Sequence, residues 1–356
     1  MDEPMSTGAK PSKYKDDAAR EERLREIRRE AETLGKVSQQ GIRPGRAPFL
    51  QASPEQGYYG LPALKAPPWK QEIPAYLFVG GAAGAAAVIG CAAGLLSPSD
   101  REMIRDARWL AAIGGAISPA LLIADLGMPS RFLNMLRVFK LQSPMSVGSW
   151  TLVAFSSTAA AAAFATSFRN GGGSLQFVEN AAGALSGLFG LGLATYTGVL
   201  VGATAIPVWY ENVRILPIHF AASGVGAAVS MLELKGHASS PSLNALGIAS
   251  SLAETLIGIS VEANKKPALV PLKRGKSGWV TRLGGLLSGP LPLVLRLIAG
   301  SSGTRRSIQL RRVAAASMVA GSFLTRQGWV QAGRASASDP SIPLELPATR
   351  SLTTNT

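Results

Sequence analysis

Long apolar runs separated by short polar stretches make up most of the chain beyond residue 72. The first extends from Pro74 to Leu96, with no charged residue between Glu72 and Asp100. Others extend from about Trp109 to Ile123, Val147 to Phe168, Ala181 to Pro207, Leu216 to Leu232 and Leu243 to Val261. Apolar stretches of roughly 18 or more residues with few charges are long enough to cross a bilayer core as helices. Two weaker runs follow. Val280 to Ile298 carries Arg282, Arg296 and a Gly289-Pro290-Leu291-Pro292 kink. Val313 to Leu324 is short and lies between Arg312 and Arg326, whose stems can carry their charges toward the headgroups. The pattern predicts eight spans, with six as the floor.

The first 72 residues are different material. Asp16 to Leu34 reads as a charged helix, with Glu21/Arg25 and Arg28/Glu32 four residues apart and Gly35 as its stop. Its narrow stripe of Leu24, Ile27, Ala31 and Leu34 suits either a solvated helix or docking on a partner. Residues 41–68 are rich in Pro and Gly and read as an extended linker. The tail is expected to be largely disordered. No apolar core follows Asp2 and Glu3, so no secretory signal is expected.

Composition sharpens this reading. Only 16% of the 356 residues are charged, against about a quarter in soluble domains, yet the net charge is +14. The excess is local. Residues 1–72 hold 13 basic and 11 acidic side chains, residues 73–262 hold nine of each, and residues 263–356 hold 14 and two. A nucleic-acid reader needs a basic face interleaved with aromatic or hydrogen-bonding groups. Here Lys265, Lys266, Lys273, Arg274 and Lys276 form a loop between two apolar runs, so the basicity reads as headgroup and topology contacts, with a lipid bilayer and no nucleic acid as partner. One Cys excludes a disulfide framework, a Cys-ligated zinc and an iron–sulfur cluster held by this chain. Two His leave little for haem or other metals, and no metal site is expected. The spans are also rich in small residues, such as Gly80, Gly84, Gly90 and Gly94, which let helix backbones approach closely in lipid. The fold class is therefore an all-α integral membrane protein.

Polar residues near the membrane carry the functional information, because leaving them in lipid is costly. Trp69 to Tyr76 opens span one, Asp125-Leu126-Gly127-Met128-Pro129-Ser130-Arg131 closes span two, and Ser143 to Trp150 opens span three. Tyr196-Thr197-Gly198 lies late in span four, with Pro207 and Trp209 after it. Consecutive spans run in opposite directions, so all four clusters fall on one side, and His219 at the start of span five joins them. A polar, aromatic site at one end of a four-helix bundle follows.

These segments, with Phe132–Lys140 and the Ala332–Pro340 stretch, resemble the NrfD/PsrC family, integral-membrane quinone-interacting subunits of polysulfide-reductase-type complexes. The resemblance covers roughly residues 58–340, and the Asp125–Trp150 block is its most specific part. It implies two four-helix bundles, a quinol pocket in the first, and an iron–sulfur partner beside it. Polysulfide reductase's pocket uses Asn and His on the first helix, and this first span has neither. Tyr196 stands as the counterpart of the pocket tyrosine. The implied domains are a tail over residues 1–72, bundles over 73–210 and 211–330, and a C-terminal tail over 331–356.

Quinol oxidation releases two electrons and two protons, so a site needs a hydrogen-bond partner for the ring oxygen and a proton acceptor. Tyr196 is the candidate for the first and Asp125 for the second, with Arg131 holding Asp125 ionised. The alternatives are a helix-end ion pair for Asp125 and Arg131, and a plain interfacial aromatic for Tyr196. Trp150 and His219 complete the candidate quinone (menaquinone or ubiquinone) set. Trp150 also suits an interface anchor, as does Trp209, and His219 a structural role. Glu254 and Glu233, in or beside spans six and five, suggest a proton path in the second bundle, and a neutral, hydrogen-bonded Glu254 is the plainer reading.

A redox partner is required on this reading: an iron–sulfur electron-transfer subunit and a catalytic or cytochrome subunit. The rival classes are a secondary transporter, to which the kinked seventh span lends itself, and a purely structural anchor. Nine basic residues on the tail side against seven on the other favour a cytoplasmic N-terminus, in a multi-pass protein of a bacterial inner membrane.

Overall fold

The computed structural model describes residues 22–27, 29, 37–38, 41–42, 64–168, 173–300 and 303–339. The chain forms two compact units, Met1–Leu61 and Pro62–Thr356. In the first, residues 22–27 are helical and exposed, within the charged helix that the sequence predicts. Val37–Ser38 and Gly41–Ile42 pair antiparallel, which no sequence signal suggested. The remainder of the predicted disordered tail and linker up to residue 63, and the C-terminal tail after Asp339, lie outside the described residues.

The second unit is helical. Its long helices are α1 (Glu72–Leu96), α2 (Arg101–Leu126), α4 (Pro144–Ser167), α5 (Gly173–Gly202), α7 (Leu216–Leu232) and α8 (Pro241–Ala263). Shorter ones lie between them: α3 (Pro129–Met135), α6 (Pro207–Tyr210) and α9 (Val270–Lys273). The chain then forms α10 (Gly275–Ser288), α11 (Pro290–Ala299) and α12 (Arg305–Ser338). Side-chain caps fix several starts, as expected where the first N–H groups of a helix lack partners. Asp100, Ser143, Ser240 and Thr304 each accept from the backbone N–H three residues on.

Among the described residues, seven segments are long and apolar enough to cross a membrane, taking α7 with its extension and α10–α11 as one segment each. The eighth predicted span lies inside the 34-residue α12, which its arginines make too polar to stand with the other seven on hydropathy alone. The seventh is broken where the sequence suggests. Proline has no N–H to continue the ladder, and Gly289 leaves helical geometry at φ −103°, ψ −99°. The fifth ends in a π turn, Glu233–His237, which passes through Gly236 at φ 145°, a conformation that glycine adopts without steric cost.

Packing follows the up-and-down order. Helices α1, α2, α4 and α5 form one ring, each touching its neighbours, and α7, α8, α10–α11 and α12 form a second. Helix α1 lies against both, touching α7 and α12 as well as α2 and α5. Its glycines explain the closeness. A Cβ on Gly84 would stand 2.5 Å from the Gly190 carbonyl oxygen, and a Cβ on Gly190 equally close to that of Gly84. Gly84→Ala should therefore cost about 1–3 kcal/mol through forced separation of α1 and α5, read as a lower unfolding midpoint in detergent.

Candidate functional site

The ends of α1, α2, α4 and α5 on the tail side enclose a cavity of about 180 Å³. Asp125 and Tyr196 both line it, with Trp69, Tyr76, Phe132 and Met145 among its mostly apolar walls. The local sequence accounts for this placement. Asp125 lies in the last turn of α2, which Gly127 ends in a left-handed turn at φ 68°. Ser143 and Pro144 start α4, bringing Gly148 under the Tyr196 ring, so close that a Cβ there would overlap the phenol. The Tyr196 hydroxyl donates to the Pro144 carbonyl at 2.6 Å, which leaves its oxygen as an acceptor. Asp125 Oδ1 accepts from the Lys70 backbone N–H at 3.1 Å.

Other predicted residues fall elsewhere. The Arg131 side chain lies outside the described residues, so its pairing with Asp125 is not part of the site described. Trp150 is 41% exposed, meets Phe139 edge-on at 6.2 Å, and lines a separate lipid-facing hollow with Phe189. Trp209 is no interface anchor. It is fully buried, stacked on Trp69 at 5.1 Å, and its Nε1 donates to the Trp329 carbonyl at 2.9 Å. Tyr76 and Trp69 belong to the cavity wall, and in the sequence only their place at the opening of span one marks them.

His219 leaves the predicted cluster and faces the second bundle. Its Nε2 stands 3.5 Å from Glu254 Oε1, while Ser288 Oγ donates to Glu254 Oε2 at 2.8 Å. Ser288 is the last residue before the α10–α11 break, so the kink and the buried carboxylate meet. Glu233 is held elsewhere, by Arg296, whose two terminal nitrogens reach its two oxygens at 2.7 Å each with both side chains at 0% exposure. Asn244 Oδ1 lies 3.4 Å from the same guanidinium. His237 forms a pair with Asp106 at 3.0 Å. The two histidines thus occupy opposite ends of one helix and its π extension, roughly 27 Å apart at 1.5 Å per residue.

The C-terminal positive charge also departs from expectation. Arg326 does not reach toward headgroups: it is 0% exposed, donates to the Phe220 carbonyl at 2.8 Å, bonds Ser223 and Ser322, and lies 4.9 Å over the Phe220 ring. Arg311, equally buried, donates to the carbonyls of Ala238 and Gly300. With Arg296, three of the basic residues read as surface contacts are interior fixtures joining helices. A sequence shows the charge but not the carbonyls and carboxylate that accept it.

Residues 63–236 match the family model described as polysulphide reductase, NrfD. Over that segment the chain is similar to the NrfD family. The match takes in α1 to α7, and hence the whole Asp125–Tyr196 cavity, and stops before α8. NrfD proteins are membrane subunits of oxidoreductase complexes, and this chain has the helices of a multi-pass membrane protein. No curated protein matched the chain.

Proposed function

We propose that this NrfD-like chain is the quinone-interacting membrane subunit of a respiratory oxidoreductase in a bacterial inner membrane. On this reading it exchanges electrons between the quinone pool and an iron–sulfur or cytochrome partner. The observation that carries the reading is the convergence of Asp125 and Tyr196 on one apolar-walled cavity at the end of the first bundle. The cavity suits a quinone head group: at about 180 Å³ it is smaller than the ~300 Å³ or more of a drug-sized site, so a ring fits and its isoprenoid tail must leave between helices. A bound quinone supplies the two-electron, two-proton chemistry that no side chain here provides.

The residues supply the rest. With its proton committed to Pro144, the Tyr196 oxygen accepts from a ring hydroxyl, which favours the reduced ring. Asp125 keeps Oδ2 for a proton while Oδ1 is fixed by Lys70. The mostly apolar walls would hold a ring away from water. With the two histidines at opposite ends of α7 and its extension, they cannot ligate one haem between them, so the electrons pass to a partner subunit.

Two tests address parts of this reading. Tyr196→Phe should weaken binding of a fluorescent quinol analogue, a heptyl-hydroxyquinoline N-oxide, about 2- to 10-fold at one site in nanodiscs, as loss of one hydrogen bond does. Unchanged binding would count against the tyrosine's role. A proton path through the second bundle rests on Glu254, with Ser251 and Asn244 following on one face of α8 toward Arg296 and Glu233. Glu254→Gln should then abolish proton uptake by the reconstituted complex; uptake at the wild-type rate would remove the path.

A further inference from the structure

A larger internal space than the Asp125–Tyr196 cavity lies in the second bundle. The second bundle encloses about 460 Å³ between α7, α8, α10 and α12, within the 300–1,000 Å³ common for small-molecule sites. Most of it lies on residues beyond the NrfD match. His219, Glu254 and Trp329 line it, all at least nine-tenths buried. His219 Nε2 and Glu254 Oε1 face each other at 3.5 Å, while His219 Nδ1 and Trp329 Nε1 have no hydrogen-bond partner in the protein. Buried polar atoms without partners are rare, and two on residues lining one cavity mark a place where something else completes them.

The donor set defines that something. A carboxylate oxygen accepts, an indole N–H donates, and an imidazole does either. Charge is not on offer for an anion. The terminal nitrogens of Arg326 are taken by Ser223, Ser322 and Phe220, and Arg282 is paired with Glu262 at 2.7 Å at the rim. The remaining walls are mainly apolar. Two of them, Ile259 on α8 and Leu286 on α10, are 61% and 52% exposed on the lipid-facing side, so the cavity is reached sideways from the bilayer.

We propose that this cavity is a second ligand site, for a neutral, lipid-soluble ring compound bearing hydroxyl or carbonyl oxygens, entering between α8 and α10. One ring oxygen donates to Glu254 while another accepts from Trp329 or His219. This site stands on residues of the second bundle alone and does not depend on the Asp125–Tyr196 cavity.

Two cavity-lining glycines allow a clean test. A Cβ on Gly258 or Gly285 would meet nothing within 4 Å, so leucine at both fills the space without disturbing the packing, and glycine is a poor helix former. The full chain in nanodiscs is titrated with the heptyl-hydroxyquinoline N-oxide, with the unfolding midpoint as the folding control. Two sites are expected in the wild type. Gly258→Leu with Gly285→Leu should weaken one at least tenfold and leave the other, while Tyr196→Phe affects only that other. If both leucines leave every site intact, the inference is overturned. It is equally overturned if native mass spectrometry finds a phospholipid bound to the wild type and lost from the double variant, with no analogue bound there. Loss of the Tyr196 response alone would reject the first-bundle reading and leave this one standing.

Discussion

Arg296→Met should destabilise the chain by about 3–5 kcal/mol, because it leaves the Glu233 carboxylate buried without its cation. The pair is bidentate at 2.7 Å and wholly buried, so neither water nor a headgroup can replace the guanidinium. Arg296 also joins α11 to the π turn after α7 and to Asn244 on α8, so three elements of the second bundle loosen together. Replacing both charges, Glu233→Gln with Arg296→Met, should restore more than half of the loss, since the cost lies in the orphaned charge more than in the absent attraction. Thermal unfolding in detergent reads both variants. A single variant within about 1 kcal/mol of wild type would show that Glu233 finds another partner or is neutral.

Asp125→Asn should lower quinol oxidation by the intact complex about 100-fold while leaving folding untouched. Removal of a positioned proton acceptor typically costs 10²–10⁴-fold, and Asp125 is the carboxylate lining the first-bundle cavity. Asparagine keeps the acceptor for the Lys70 N–H, so the contact between the segment leading into α1 and the end of α2 survives. Quinol-analogue affinity should change little, which separates lost proton transfer from lost binding. A variant that turns over at the wild-type rate would return Asp125 to the role of a helix-end fixture.

Much of this architecture is legible in the chain because hydrophobic length is a direct physical requirement of the bilayer. The runs beginning at Pro74 and Leu216 mark α1 and α7 within two residues at the start, and the Gly289-Pro290 break falls where the sequence places it. Asp125 and Tyr196 come together because helix direction alternates, which is deducible from the number of spans. Alternation fixes the end of the bundle but not the face of each helix. That is why His219 and Trp150, assigned to the same end, turn to Glu254 and to lipid instead. The C-terminal arginines were opaque for a related reason: their partners are backbone carbonyls and a carboxylate on other helices, and no spacing along one helix predicts which ones.

The proposed function places a quinone ring between Asp125 and Tyr196 in the first bundle. An experimental structure of the complex saturated with the quinol analogue tests it most directly. Ring density is expected in that cavity, with a ring oxygen within hydrogen-bond reach of the Tyr196 hydroxyl and the opposite edge facing Asp125. No ring density in that cavity at saturating analogue would contradict it.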